Sequence, residues 1–166
     1  MINHNKEIIL GIDPGTAIVG WGLIEKEGKK CRLLDYSCIR THSSKKLSER
    51  LLEIFDQINS IIKKYKPDTV VIEQLFFFKN TKTAMSVGQA RGVLMLAAQI
   101  NKKEFFEYTP LQVKKAMSGY GRAEKKQIQD MVKASLGLEE IPKPDDAADA
   151  LAIALCHAQT NQKLRY

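Results

Sequence analysis

The chain of 166 residues carries 26 Lys and Arg against 19 Asp and Glu, a net charge of +7 with a pI near 9.3. Its 44% hydrophobic and 27% charged residues are ordinary globular usage, which argues against long disorder, collagen and coiled coils. No apolar run approaches the roughly 18 residues of a membrane span, and three cysteines without CxxC spacing argue against a disulfide scaffold or structural zinc.

The polar segment Met1–Lys6 lacks the apolar stretch of a signal peptide, so a reduced, cytoplasmic location is expected. No repeat or linker divides the chain, and residues 1–166 read as a single domain. Glu7–Asp13 is a short apolar run that ends in Asp-Pro-Gly, the pattern of a buried strand closed by a turn. Ile18–Glu25 and Cys31–Thr41 read as two more strands, joined by a hairpin at Glu27-Gly28-Lys29. The period then changes. Leu47, Leu51, Ile54, Phe55, Ile58, Ile61 and Ile62 share one helical face within Ser44–Tyr65.

Thr69–Glu73 is a buried-strand signal ending in a carboxylate, and Thr83–Ile100 is a helix rich in small residues. Phe105–Tyr108 makes a fifth strand. Thr109-Pro110 supplies an N-cap and first helical position for a short helix. Ala123–Leu136 is a further helix closed by Gly137, and a last one runs from Asp145 to about Gln159. Three antiparallel strands followed by β-α units predict an α/β fold: a mixed five-stranded sheet with helices on both faces.

Four acidic residues point to chemistry. Asp13 closes the first strand, where its plain reading is a turn-starting Asp. Glu73 ends the fourth strand, where its plain reading is a carboxylate turned to water. Asp145 and Asp146 suit the positive end of a helix. Asp149 does not, because the apolar segment Ala150–Leu155 follows it. Asp146 and Asp149 stand at i and i+3 on one helical face, and Asp145 at i−4 from Asp149 can approach that face. Carboxylates drawn together repel and raise each other's pKa unless a cation intervenes. An all-oxygen set predicts Mg²⁺, with Mn²⁺ as a substitute, rather than zinc. His4, His42 and His157 are scattered, and His157 reads as a surface or packing residue.

Gly11-Ile12-Asp13-Pro14-Gly15-Thr16, Val71-Ile72-Glu73-Gln74 and Asp146-Ala147-Ala148-Asp149-Ala150-Leu151-Ala152, in that order, resemble the RuvC family of Holliday junction resolvases. Gly88-Gln89-Ala90-Arg91-Gly92, Gln112-Val113-Lys114 and Ala123-Glu124-Lys125 extend the likeness from about Ile8 to His157. The resemblance implies a ribonuclease-H-like fold and a Mg²⁺-dependent endonuclease that acts as a homodimer on four-way DNA junctions. It implies that Asp13, Glu73, Asp146 and Asp149 are the catalytic metal ligands. Some relatives carry His at the position of Asp146, so this chain has the all-carboxylate version. Two ions, about 3.5–4 Å apart, would activate the attacking water and stabilise the leaving 3′-oxygen, with ends left as 5′-phosphate and 3′-hydroxyl. Lys114 and Lys125 would contact phosphate without reading sequence. Phe76 would stack on an unpaired base, with Lys79 and Lys82 on the backbone. The resemblance also implies association with the RuvA–RuvB branch-migration complex. Competing readings are an actin-like ATPase fragment, a hybrid-specific nuclease of the same fold, and a non-catalytic DNA-binding module.

Overall fold

The computed structural model describes residues 6–74 and 81–160, without the side chains of 81 and 82. Five strands, β1 (Lys6–Asp13), β2 (Ile18–Glu27), β3 (Lys30–Arg40), β4 (Thr69–Glu73) and β5 (Glu104–Tyr108), form one sheet in the order β3-β2-β1-β4-β5. β1, β2 and β3 pair antiparallel through tight connections, with Gly28 at φ 61° in the second turn. β4 joins β1 in parallel, and β5 joins β4 in parallel. The helices are α1 (Leu47–Tyr65), α2 (Thr81–Ile100), α3 (Pro110–Ser118), α4 (Lys125–Leu136) and α5 (Asp145–Thr160). The mixed sheet and the element order match the expectation. Element ends differ by up to three residues, and hydrogen bonding rather than hydropathy sets them.

Alternation along the strands sorts the core into two layers. Leu10 and Ile12 of β1 and Val70 and Ile72 of β4 pack with Ile54, Ile58 and Ile62 of α1 and with Ala90, Leu94 and Ala97 of α2. Ile9 and Val71, on the opposite face, pack with Val113 and Met117 of α3, Ile128 and Val132 of α4, and α5. Because side-chain direction repeats every two residues, Asp13 and Glu73 fall on the same face as Ile9 and Val71. That is the α5 face.

α5 is buried from Ala147 to Ala158 except at Asp149, as a segment otherwise apolar all round requires. It lies unusually close to the sheet because the strands beneath it carry glycine. A Cβ on Gly11 would stand 2.1 Å from the Ala150 carbonyl oxygen, and one on Gly20 would stand 1.9 Å from that of Asp146. Strand-interior glycine marks such a close backbone approach. The helix begins against Pro144, whose carbonyl accepts from the Ala147 and Ala148 N–H groups at 3.0 and 3.3 Å.

The far half of α5 decides between the surface and packing readings of His157 in favour of packing. Its ring is wholly buried. Nδ1 is hydrogen-bonded to Tyr108 Oη at 2.9 Å, and Nε2 faces Glu7 Oε1 at 3.6 Å. Thr69 Oγ1 donates to the same Glu7 oxygen at 3.0 Å. This polar cluster ties α5 to β1, β4 and β5. Burial of an imidazole inside a helix with no wet face demands partners of this kind.

Candidate active site

β1 and β4 are parallel neighbours with Ile12 opposite Ile72. One residue further on, both strands end in a carboxylate, Asp13 and Glu73. Two acids on adjoining strand ends, with side chains on one face, need no loop geometry to be brought together. The crevice beyond the carboxyl ends of such strands is the usual ligand site of an open α/β sheet. α5 approaches from above. Gly20, which pairs with Asp13 in the β1–β2 ladder, is the residue whose lack of a side chain admits the Asp146 backbone. Asp149 lies a turn further along and turns into the crevice.

Asp13, Glu73 and Asp149 line one cleft with Lys114 of α3 and Lys125 of α4, walled by Pro110, Val113, Ile128 and Ala152. Lys114 reaches it because α3 starts directly after β5. Thr109 caps that helix, its Oγ1 accepting from Gln112 N–H at 3.1 Å while Gln112 Oε1 accepts from Thr109 N–H at 2.8 Å. Asp146 does not line the cleft. It sits at its edge, near enough for its charge to act on both Asp13 and Cys38. Asp145 points outward and meets Lys125. Phe76 and Lys79 lie outside the described residues, as does the side chain of Lys82.

The electrostatics are those of an overloaded acidic site. Burial first, then the charges of Glu73, Asp149 and Asp146, push Asp13 up to about 8, with Lys125 opposing. Burial and then Asp149 push Glu73 up to about 7, against Lys114. Burial raises Asp149 too, while Lys125 pulls the other way. Lys125 Nζ stands 3.2 Å from Asp149 Oδ2 and 3.4 Å from Asp145 Oδ2. No three His, Cys, Asp or Glu side chains among the described residues are arranged as they stand to hold an ion. The chemistry of the donors nonetheless fits a hard divalent cation. Several oxygen ligands converge with more negative charge than burial tolerates, and a lysine ammonium already sits against one of them.

A second surface stands apart from the cleft. On α2, Met85, Leu96 and Ile100 are 74%, 53% and 55% exposed. Cβ atoms built on Gly88 and Gly92 meet nothing within 4 Å. Met85, Gly88, Gly92 and Leu96 follow one helical face. Arg91, beside this stripe, is ion-paired with Glu107 of β5.

Of the residues the sequence pointed to, Asp13, Glu73, Asp149, Lys114 and Lys125 line the cleft and Asp146 does not. The sequence reading missed Gly20 as the residue that sets the height of α5, although a glycine inside a β-branched strand is the signal for it. It also missed the Glu7–His157–Tyr108 cluster, whose members are far apart in the chain.

The fold is that of solved RuvC structures. The structure of Thermus thermophilus RuvC matches with a TM-score of 0.88 and 37% identity, over 93% of this chain and 95% of that one. T. thermophilus RuvC in complex with Holliday junction substrate matches with a TM-score of 0.89 and 36% identity, over 94% and 95%. Crossover junction endodeoxyribonuclease RuvC of Desulfitobacterium hafniense is 60% identical over 92% of this chain and 93% of its own length. The family described as crossover junction endodeoxyribonuclease RuvC matches residues 9–157. The chain belongs to the RuvC family of crossover junction endodeoxyribonucleases, and its fold is ribonuclease-H-like as expected.

Proposed function

We propose that this chain resolves four-way DNA junctions by paired, symmetric nicks, with Asp13, Glu73, Asp146 and Asp149 holding divalent cations. The observation that carries the reading is the meeting of Asp13 and Glu73, from adjoining parallel strands, with Asp149 of α5 in one cleft. Family membership adds the reaction class and argues against the hybrid-specific, ATPase and binding-module readings. Mg²⁺ bound there, as two ions, would activate water and stabilise charge on the phosphate and the leaving oxygen. The chain's own residues do the rest. Asp13 and Glu73 supply carboxylates on rigid strand ends. Asp149, and Asp146 from the edge, complete the acidic wall. Lys114 and Lys125 offset the repulsion between that wall and a DNA phosphate, and they position the backbone without reading bases. Val113 and Ile128 form an apolar wall beside these groups.

Stacking by Phe76 and backbone contact by Lys79 and Lys82 remain part of the proposal, drawn from the resemblance. The exposed stripe on α2 supports a homodimer. Small residues allow close helix approach, and a two-fold axis would present two equivalent clefts to two symmetry-related strands. Delivery by the RuvA–RuvB complex completes the proposal. The test is incubation with a synthetic mobile four-way junction and Mg²⁺. Paired nicks at symmetric positions, ligatable without further treatment and abolished by chelator, are expected. Cleavage of an RNA–DNA hybrid in preference to the junction would overturn the reading.

A further inference from the structure

Lys125 is placed where a structural role is hard to supply. It is the first residue of α4, and the N-terminus of a helix favours negative charge. Glu124 stands at the N-cap without a side-chain capping bond, the first turn itself holds no acid, and Lys126 follows Lys125 directly. The ammonium is therefore set against the helix dipole. Its compensation comes from elsewhere, with Asp149 at 3.2 Å and Asp145 at 3.4 Å. These acids differ. Asp149 lines the cleft with Asp13 and Glu73, whereas Asp145 lies outside it. Lys125 thus bridges a cleft carboxylate to an exterior one.

We infer that Lys125 is a built-in counter-ion of the acidic cleft, tethered by Asp145, and that a divalent cation must displace it from Asp149 to enter. The inference rests on the proposed cation site and concerns how this chain's lysine and aspartate compete for it. Without the ammonium, Asp149 would add its full repulsion to Asp13 and Glu73 in the metal-free protein. With it, the cleft is partly neutral and waits. An incoming cation takes over Asp149, and the long lysine stem swings the ammonium out, still held near the cleft mouth by Asp145. There it is free to meet a phosphate. Asp145 is a positioning residue, acting through Lys125. Removing Asp145 leaves Asp149 as the ammonium's sole carboxylate partner of the two, which holds Lys125 more firmly in the cleft and weakens cation entry.

The test measures Mn²⁺ binding to the full-length, metal-free chain without DNA, with free Mn²⁺ read by electron paramagnetic resonance at fixed ionic strength. Lys125→Gln is expected to tighten Mn²⁺ binding about three- to tenfold, the range for relieving a partly screened contact charge. Lys126→Gln removes the same charge from an exposed neighbour and is expected to change binding by less than about twofold. Asp145→Asn is expected to weaken binding about threefold. Against a Lys125→Gln background that effect should shrink to under about 1.5-fold, because coupled residues are non-additive. Equal effects of Lys125→Gln and Lys126→Gln would reduce the contact to general charge and overturn the inference. So would an Asp145→Asn effect that persists in the double variant. A wild-type chain with no saturable Mn²⁺ site, or one whose site survives Asp13→Asn, would instead overturn the underlying cation reading.

Discussion

Glu7 and Asp13 occupy the two ends of β1, roughly 20 Å apart at about 3.3 Å per residue, and both lie beneath α5. Glu7 meets His157 and Thr69, and the His157 contact holds its carboxyl below the usual range in spite of burial. Asp13 meets burial and three more carboxylates, and is driven up to about 8. The same residue class on the same strand is thus satisfied at one end and frustrated at the other. A buried acid with a dedicated partner holds the fold together. A buried acid surrounded by its own kind makes sense only if something outside the chain completes it.

The comparison breaks if the two ends respond alike to loss of charge. Asp13→Asn is expected to lower junction cleavage at least about 10³-fold while leaving junction binding within a few-fold and stability unchanged or higher. Glu7→Gln is expected to keep cleavage within about threefold and to cost about 1 kcal/mol of stability, a fall of some 2–4 °C in melting temperature. Cleavage rates and thermal melts of the pair decide it.

Gly20→Ala comes next in size and tests how the two ends share one helix. The added Cβ collides with the Asp146 carbonyl, so the start of α5 must lift. A loss of about 10²-fold in cleavage, from misplacement of Asp146 and Asp149, and of about 1–3 kcal/mol in stability is expected. Native cleavage in a stable Gly20→Ala protein would show that α5 need not lie so close.

The smallest effect is in the pH dependence of stability. Asp13 and Glu73 have folded values above their unfolded ones, so between about pH 4 and 8 the folded chain binds more protons than the unfolded. Metal-free stability is therefore expected to rise as pH falls from 8 towards 5. Glu7 has the opposite sign. Its contribution is present above the unfolded value and is lost only as pH drops through the lowered folded value. Added Mg²⁺ should stabilise more at pH 8 than at pH 6, since protons compete for the same oxygens. Melting curves in chelator and in Mg²⁺ across that range check the sign.

Much of the acidic end was legible in the sequence because its signals are local. A carboxylate closing an apolar strand, twice, and an i, i+3 pair opening an apolar helix are visible without coordinates. The residue-by-residue alternation that puts Asp13 and Glu73 on one face follows from the same pattern. The satisfied end was not legible. His157 follows Ala150–Cys156, a run apolar on every side, so no amphipathic face announced where its ring would point. Its partners come from the start of β1 and the end of β5. Lys125 on Asp149 was equally hidden, because a charge near a helix start says nothing about which distant helix it will face. Asp146 stood out as an equal of Asp149 by spacing, yet only Asp149 lines the cleft, with Asp146 acting on Asp13 through its charge.

Asp146, Asp149 and the imidazole that anchors the other end of α5 ride on a single unbroken rod wedged onto glycine. Such a rod has no joint at which the acids could be re-aimed without disturbing the whole interior. Their coordinates are decided when the protein folds, well before any nucleic acid arrives. Adaptability at the cleft then falls to the flexible stems of Lys114 and Lys125.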